Sequence, residues 1–225
     1  MTTSRLTGVD LTRDFGSGET LVHALTGVSL EVAAGRLTAV TGPSGSGKTT
    51  LLNLLGGLDR PTSGRVLLDD TRVLSELPEA EVLAVRRRRI GYVFQTFGLI
   101  PVLSAAENVE VPLRLAQVEP KERSRRVAEA LERVGLARHA HQRPHELSGG
   151  QQQRVGIARA VVAGPDILIA DEPTGQLDSD TAATIMDLIV ELSHERGLAA
   201  VVSTHDPALV ARADHVVRLL DGARL

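Results

Sequence analysis

Apolar positions in this chain fall into runs of two kinds, and the kinds take turns along its length. Leu6-Thr7-Gly8-Val9-Asp10-Leu11 and Val28-Ser29-Leu30-Glu31-Val32 alternate with polar positions, as half-buried strands do. Leu37–Thr41, Ile90–Phe94, Ile167–Ala170, Ala199–Ser203 and Val216–Leu220 are short continuous runs and predict buried strands. Between them lie stretches with helical spacing. Leu51, Leu52, Leu54 and Leu55 mark a helix over Thr50–Gly56. Further helices are predicted over Leu77–Arg89, Ser104–Ala116, Pro120–Val134, Gln152–Val162 and Thr181–Arg196. Buried strands alternating with helices imply a parallel sheet covered on both faces. Gly35 is expected to close a hairpin between Val28–Val32 and Leu37–Thr41. Pro61–Gly64 reads as a turn before a short strand, Val66–Leu68. With the first two strands this suggests a small antiparallel sheet beside the main one. No strand pattern interrupts Ala105–Ala163, so residues of about 96–163 are expected to be a helical subdomain inserted in one domain spanning 1–225.

Within the helices, Ser104 and Glu107 fit a capping box. Val127, Ala130, Leu131 and Val134 form the apolar stripe of the fourth predicted helix, whose first turns are crowded with charge.

Composition narrows the classes. Of the 225 residues 42% are hydrophobic but only 2% aromatic, so the core must be built from Leu, Val, Ile and Ala. The net charge of −3 argues against a general attraction to nucleic acid. The absence of cysteine excludes disulfides, thiolate zinc sites and a Cys nucleophile. No apolar run approaches the roughly 18 residues that span a bilayer. Met1–Asp10 lacks the apolar core of a signal peptide. A soluble, cytosolic protein is expected, one that reaches a membrane only through a partner.

The chemistry centres on Gly42-Pro43-Ser44-Gly45-Ser46-Gly47-Lys48-Thr49-Thr50. It matches the phosphate-cradling loop G-x-x-x-x-G-K-[ST], and it stands between a predicted strand and a predicted helix, the context that supports such a match. Glycines allow the tight turn that points consecutive N–H groups at an anion. The helix start adds partial positive charge. Lys48 supplies a point charge for the outer phosphates, and the Thr49 hydroxyl is placed to ligate Mg²⁺. Ser148-Gly149-Gly150-Gln151 opens a later helix and forms a second anion-binding helix start. Asp171-Glu172 ends a buried apolar strand. Neighbouring side chains of a strand point to opposite faces, so one carboxylate can serve a metal shell while the other reaches a water.

Two features stay open on these grounds. Arg86-Arg87-Arg88-Arg89 reads first as a solvated helix end, where positive charge is favoured. Its other reading is a docking surface for an acidic partner or for lipid headgroups. His139, His141 and His145 cluster around Pro144 as a conceivable metal site, though no cysteine or paired carboxylate stands near them.

In their order these motifs resemble the nucleotide-binding subunit of ABC transporters, and the resemblance covers nearly the whole chain. Leu147-Ser148-Gly149-Gly150-Gln151 matches that family's signature without a mismatch. The resemblance implies a P-loop NTPase (RecA-like) α/β core, ATP and Mg²⁺ as cofactors, and roles at matching positions. Gln95 would approach Mg²⁺ and the attacking water. Asp171 would hold Mg²⁺ through its shell, and Glu172 would polarise the water. His205 would contact the γ-phosphate, and Asp178 would belong to a loop that crosses a dimer interface. Phe15 stands where the family usually has an aromatic, most often Tyr, stacked on adenine. Gly91–Gln95, Leu99-Ile100-Pro101 and Glu172–Asp178 look most like the lipoprotein-release and macrolide-exporter branch, which usually has Asn in place of Gln176. The partners implied are a second copy of the chain, closed head-to-tail on ATP, and a separate integral membrane permease that holds the ATPase at the inner face of the membrane. The permease would dock near Arg87, Phe97, Leu99 and Leu103. Substrate choice would belong to the permease.

Two other classes fit less well. Soluble relatives acting on DNA or ribosomes need a long coiled coil or two ATPase units in one chain. P-loop kinases and GTPases lack the signature and the His205 switch.

Overall fold

The computed structural model describes residues 4–225, apart from the side chains of residues 195 and 196. The chain runs β1 (Ser4–Phe15), β2 (Val22–Ala33), β3 (Leu37–Thr41), α1 (Lys48–Leu55), β4 (Ser63–Leu68), β5 (Arg72–Val73), α2 (Glu79–Arg89) and β6 (Ile90–Val93). It continues α3 (Ala105–Leu115), α4 (Pro120–Arg133), α5 (Gly149–Val161), β7 (Ile167–Asp171), α6 (Ser179–Arg196), β8 (Ala199–Ser203), α7 (Pro207–Val210), β9 (His215–Leu220) and β10 (Ala223–Arg224). Two sheets result. One is antiparallel, in the order β2-β1-β4-β5; the other has the order β10-β9-β3-β8-β7-β6. Its neighbours from β9 to β6 all pair in parallel, and β10 folds back antiparallel on β9 at the edge.

The buried runs behave as a two-sided sheet demands. Ile167 and Ile169 of β7 enter one core with α1 and the antiparallel sheet, while Leu168 and Ala170 enter the opposite core with α6. In β8, Ala199 and Val201 split from Ala200 and Val202 in the same way. A third core joins α3, α4 and α5. Helix α5 serves two of them: Ile157, Ala160 and Val161 pack on the parallel sheet, Val155, Ala158 and Val162 on the helical layer.

One sequence expectation is corrected. β2 and β3 do not form a hairpin. β2 pairs with β1, whereas β3 pairs with β8 and β9. The turn at Gly35 (φ 68°) carries the chain from one sheet to the other. A turn signal between two apolar runs fixes a change of direction but not which edge the second run finds. β1 and β2 also extend well past their alternating segments, because register shifts around Gly8–Leu11 and Leu11–Arg13 break the two-residue period.

Helix starts move by two residues where caps decide. α1 begins at Lys48 rather than Thr50, and α6 at Ser179 rather than Thr181 behind its cap Asp178. α2 begins at Glu79, because Pro78 before it is extended and Leu77 lies outside. The capping box of α3 is present: Glu107 N–H donates to Ser104 Oγ at 3.3 Å and Ser104 N–H to Glu107 Oε2 at 2.8 Å.

Candidate functional site

The phosphate loop is pinned from both ends. β3 is buried from Leu37 to Val40, and Leu51, Leu52, Leu54 and Leu55 of α1 are each at most 1% exposed. At about 2 kcal/mol for each fully buried leucine, α1 is held firmly enough to fix the loop before it. Gly47 caps α1 in the left-handed region (φ 96°). A methyl group there would lie 2.4 Å from the carbonyl oxygen of Ala24, so only glycine fits. Gly42 is equally constrained, by the carbonyl oxygen of Leu219 at 2.3 Å. Beyond Gly45 the space is open. The first-turn N–H groups of Lys48, Thr49 and Thr50 have no partner within the helix, and the Thr49 side chain is exposed. Ser46 Oγ is buried without a hydrogen-bond partner, an orphaned polar atom inside the loop. Lys48 lies folded over the loop, its Nζ donating to the carbonyls of Gly42 (2.9 Å) and Pro43 (3.0 Å).

Glu172 stands at the meeting point of four segments. Its Oε1 is 3.6 Å from Lys48 Nζ. Its Oε2 accepts a hydrogen bond from Gln95 Nε2 at 3.3 Å and lies 3.7 Å from His205 Nδ1. The position does not come from strand alternation. β7 ends at Asp171, and Glu172 takes a left-handed backbone (φ 42°), uncommon for a residue with a side chain. Ser203, at the end of β8 and paired with Asp171 in the sheet, holds this corner. Its hydroxyl donates to Asp171 Oδ1 at 2.6 Å and accepts from the Glu172 N–H at 2.8 Å. Asp171 is buried, and its Oδ2 has no hydrogen-bond partner among the described residues. Ser203 escapes sequence reasoning: a serine ending an apolar run is an ordinary strand end, and only the register makes it a bracket.

The second helix start is built the same way and lies elsewhere. Ser148 caps α5, with Gln151 N–H donating to Ser148 Oγ and Ser148 N–H to Gln151 Oε1, a full capping box. The atoms crowding Gly149 and Gly150 belong to Phe97, Leu177 and Thr181. A methyl on Gly150 would meet Thr181 Cγ2 at 2.3 Å. Thr181 donates from its N–H and hydroxyl to Asp178, and these bonds pull the Asp178 carboxyl below its usual range. The signature start therefore rests on the loop containing Asp178 and on Phe97, two residues past Gln95. Phe97, also with a left-handed backbone (φ 60°), is a second contact that the sequence did not announce.

Phe15 ends β1 with 42% of its surface exposed, and the Arg13 guanidinium lies 4.4 Å over its ring. Of the residues expected to line a docking groove, Arg87 does line a cavity, together with Phe94. Phe97, Leu99 and Leu103 do not; Phe97 faces Gly149, and Leu99 packs against the helical core. Among the described residues no group of three or more His, Asp or Glu is arranged to hold a metal, the 139–145 histidines included. No helix among them is long and apolar enough to cross a membrane.

Comparison with known proteins bears on the whole chain. Residues 25–175 match the family model described as ABC transporter. The chain is 50% identical over 214 residues to an uncharacterized ABC transporter ATP-binding protein of Thermotoga maritima, covering 95% of this chain and 91% of that one. It is 46% identical over 213 residues to the macrolide export ATP-binding/permease protein MacB of Hyphomonas neptunium, covering 95% of this chain but 33% of that protein. Among solved structures, the dimeric post-hydrolysis state of the ATP-binding cassette MJ0796, bound to ADP and Pi, superposes with a TM-score of 0.90 at 42% identity, covering 97% of this chain and 96% of that chain. On the strength of its matched residues and its fold, this chain belongs to the ABC transporter family, as an ATP-binding cassette.

Proposed function

We propose that this chain hydrolyses ATP to drive a membrane permease, working as a head-to-tail homodimer with two ATP molecules in the interface. The observation that carries the reading is the convergence of Lys48, Gln95 and His205 on the Glu172 carboxylate. Four segments far apart in sequence bring a cation, an amide, an imidazole and a carboxylate to one point beside the phosphate loop.

The chemistry follows from these groups. A triphosphate settling on the loop draws Lys48 away from the carbonyls of Gly42 and Pro43 to its outer oxygens. The first-turn N–H groups of α1 and the Ser46 hydroxyl meet the inner phosphates. The donor set fits Mg²⁺: the exposed Thr49 hydroxyl, Gln95, and the unpaired Asp171 oxygen acting through the ion's shell. Bound there, the ion would neutralise charge on the β- and γ-phosphates. Glu172 accepts a proton from the water that attacks the γ-phosphorus, while the bond to the β-phosphate oxygen breaks, giving ADP and phosphate. His205 steadies the γ-phosphate oxygens. General-base help of this kind is worth about 10²–10⁴ in rate.

The residues packed against the signature start, Phe97, Leu177 and Thr181, do not belong to the phosphate loop of the same chain. In the proposed dimer the helical part, about 96–163, carries Ser148 and Gly150 to the nucleotide held by Lys48 of the other copy, with Asp178 at the crossing. The dimeric MJ0796 cassette supports the arrangement by likeness. The permease partner is supported by MacB, whose name joins an ATP-binding and a permease function in one protein of which this chain spans about a third. That partner would place the chain at the inner face of the membrane.

Glu172→Gln keeps shape and hydrogen bonding but removes the proton acceptor. It is expected to bind ATP, to turn over about 10²–10⁴ times more slowly, and to elute from gel filtration as a dimer with ATP and a monomer with ADP. Adding Ser148→Arg is expected to abolish the dimer and leave ATP binding in place. A monomer in saturating ATP and Mg²⁺ would count against the sandwich, and undiminished turnover would remove Glu172 as base.

A further inference from the structure

Phe15 cannot hold itself in place. It is the last residue of β1, its ring is exposed, and a phenyl ring has no polar atom that a hydrogen bond could fix. Arg13, two residues back in the same strand, supplies a hold. Its guanidinium carbon lies 4.4 Å from the ring centroid, within the range at which an aromatic face attracts a cation.

Arg13 is anchored in turn. Its Nε donates to Asp59 Oδ2 at 2.8 Å, and both side chains are half-buried. Asp59 belongs to the segment that leaves α1, where the N–H groups of Leu58 and Asp59 donate to the Asn53 carbonyl at 2.9 and 3.3 Å. The same segment grips β1 twice more. Thr62 N–H donates to the Thr12 carbonyl at 2.8 Å, and Asp14 N–H donates to Thr62 Oγ1 at 3.0 Å. Residues 12–14 are thus tied to the far end of the helix whose near end carries the phosphate loop. At the near end the strands meet that loop directly, since Leu25, the β2 partner of Arg13, stands against Gly47. The ring at Phe15 and the loop at Lys48 are therefore spaced by one braced unit.

Resting on the ATPase function proposed above, we infer that Arg13, held by Asp59, is a positioning residue for nucleotide binding: it fixes the Phe15 ring so that one face is presented to the base. The side of the ring that Arg13 occupies is taken, so the base stacks on the other. A ring fixed before the nucleotide arrives loses little rotamer freedom on binding, which makes the stack tighter. A direct contact of Arg13 with the triphosphate fits less well, because its guanidinium is already engaged by Asp59 and by the ring. The base takes no part in bond breaking, so Arg13 serves the ground state and the transition state alike. It belongs to KM and not to kcat.

The test uses the whole chain and three readouts: calorimetric titration with ATP, the same titration with inorganic tripolyphosphate, which has no base, and steady-state hydrolysis. Arg13→Ala is expected to weaken ATP binding about two- to fivefold, to raise KM by the same factor at unchanged kcat, and to leave tripolyphosphate binding as it is. Arg13→Lys keeps a cation that can reach the ring and is expected to recover part of the loss. Asp59→Ala is expected to weaken ATP binding as Arg13→Ala does and to add nothing to it. In a Phe15→Ala background Arg13→Ala is expected to cost nothing further, since the ring it positions is gone. Unchanged ATP affinity in Arg13→Ala overturns the inference. A loss that extends to tripolyphosphate, or that persists in the Phe15→Ala background, also overturns it and assigns Arg13 to the phosphates or to the fold. Normal ATP binding by Phe15→Ala alone overturns it by removing the stack. Failure of the ATPase reading is seen separately, in the turnover and ATP-dependent dimerisation of Glu172→Gln.

Discussion

Glu172 carries its carboxylate to the phosphate loop on a left-handed backbone, and such a conformation costs of order 1–3 kcal/mol unless its surroundings impose it. Ser203 is what imposes it, through one hydroxyl shared by Asp171 and the Glu172 N–H. Ser203→Ala is expected to leave ATP binding intact and to lower turnover about tenfold, by loosening the geometry of a group whose full contribution is about 10²–10⁴. Steady-state hydrolysis beside nucleotide titration checks it; unchanged turnover would reduce Ser203 to a bystander. Phe15 is the other residue with a direct readout. Its exposed ring offers one face to a base while Arg13 covers part of the other. Phe15→Ala is expected to weaken ATP binding by about 1–3 kcal/mol, the range for one base–aromatic stack, and calorimetric titration measures it. At this scale the sequence was legible where a residue type is chemically necessary. Asp171, Glu172 and His205 stand at or just past strand ends that the apolar runs marked, and Lys48 opens the helix after the glycine loop. Ser203 and Phe97 were not legible, because their importance lies in which chain segment lies opposite, and that is decided by sheet register and by the packing of α5.

Among the elements, the phosphate loop, the five parallel strands and the helices were readable from periodicity, since each carries its own apolar face. The β2–β3 connection was not. Pairing energy depends on the neighbour available, and β1 offers β2 a longer ladder than β3 could. Helix ends were misplaced where glycine, proline or aspartate caps the helix ahead of its first apolar residue. α5 lies close against the start of α6 at Gly150 and Thr181. Gly150→Ala is expected to destabilise the fold by about 1–3 kcal/mol through overpacking. Adding Thr181→Ser removes the methyl in the way and keeps the hydroxyl on Asp178, so thermal melting of the double variant is expected to recover most of the loss. No recovery would mean that the glycine is needed for its backbone rather than for its lack of a side chain.

For the whole molecule, surface charge and function point in one direction. In this acidic chain a recess next to Phe94 is lined by Arg86, Arg87 and Arg159, and Leu115, also in its lining, is exposed. Under the proposed function, Leu115→Asp is expected to leave basal hydrolysis and ATP-dependent dimerisation unchanged while abolishing stimulation by the permease, because it puts a charge on an exposed apolar position. Stimulation at the normal level in reconstituted vesicles would move the docking face elsewhere. The double duty of α5 matters most at this scale. Ser148 at its head and Arg159 near its tail stand eleven residues apart, about 16 Å along the axis. Two cores grip the rod from Val155 to Val161, toward its tail. The head is the free end: a tilt of about 10° about Val155 shifts Ser148 by roughly 2 Å. Under the proposed function, closing on ATP swings the Ser148 end against a tail that two cores hold in place.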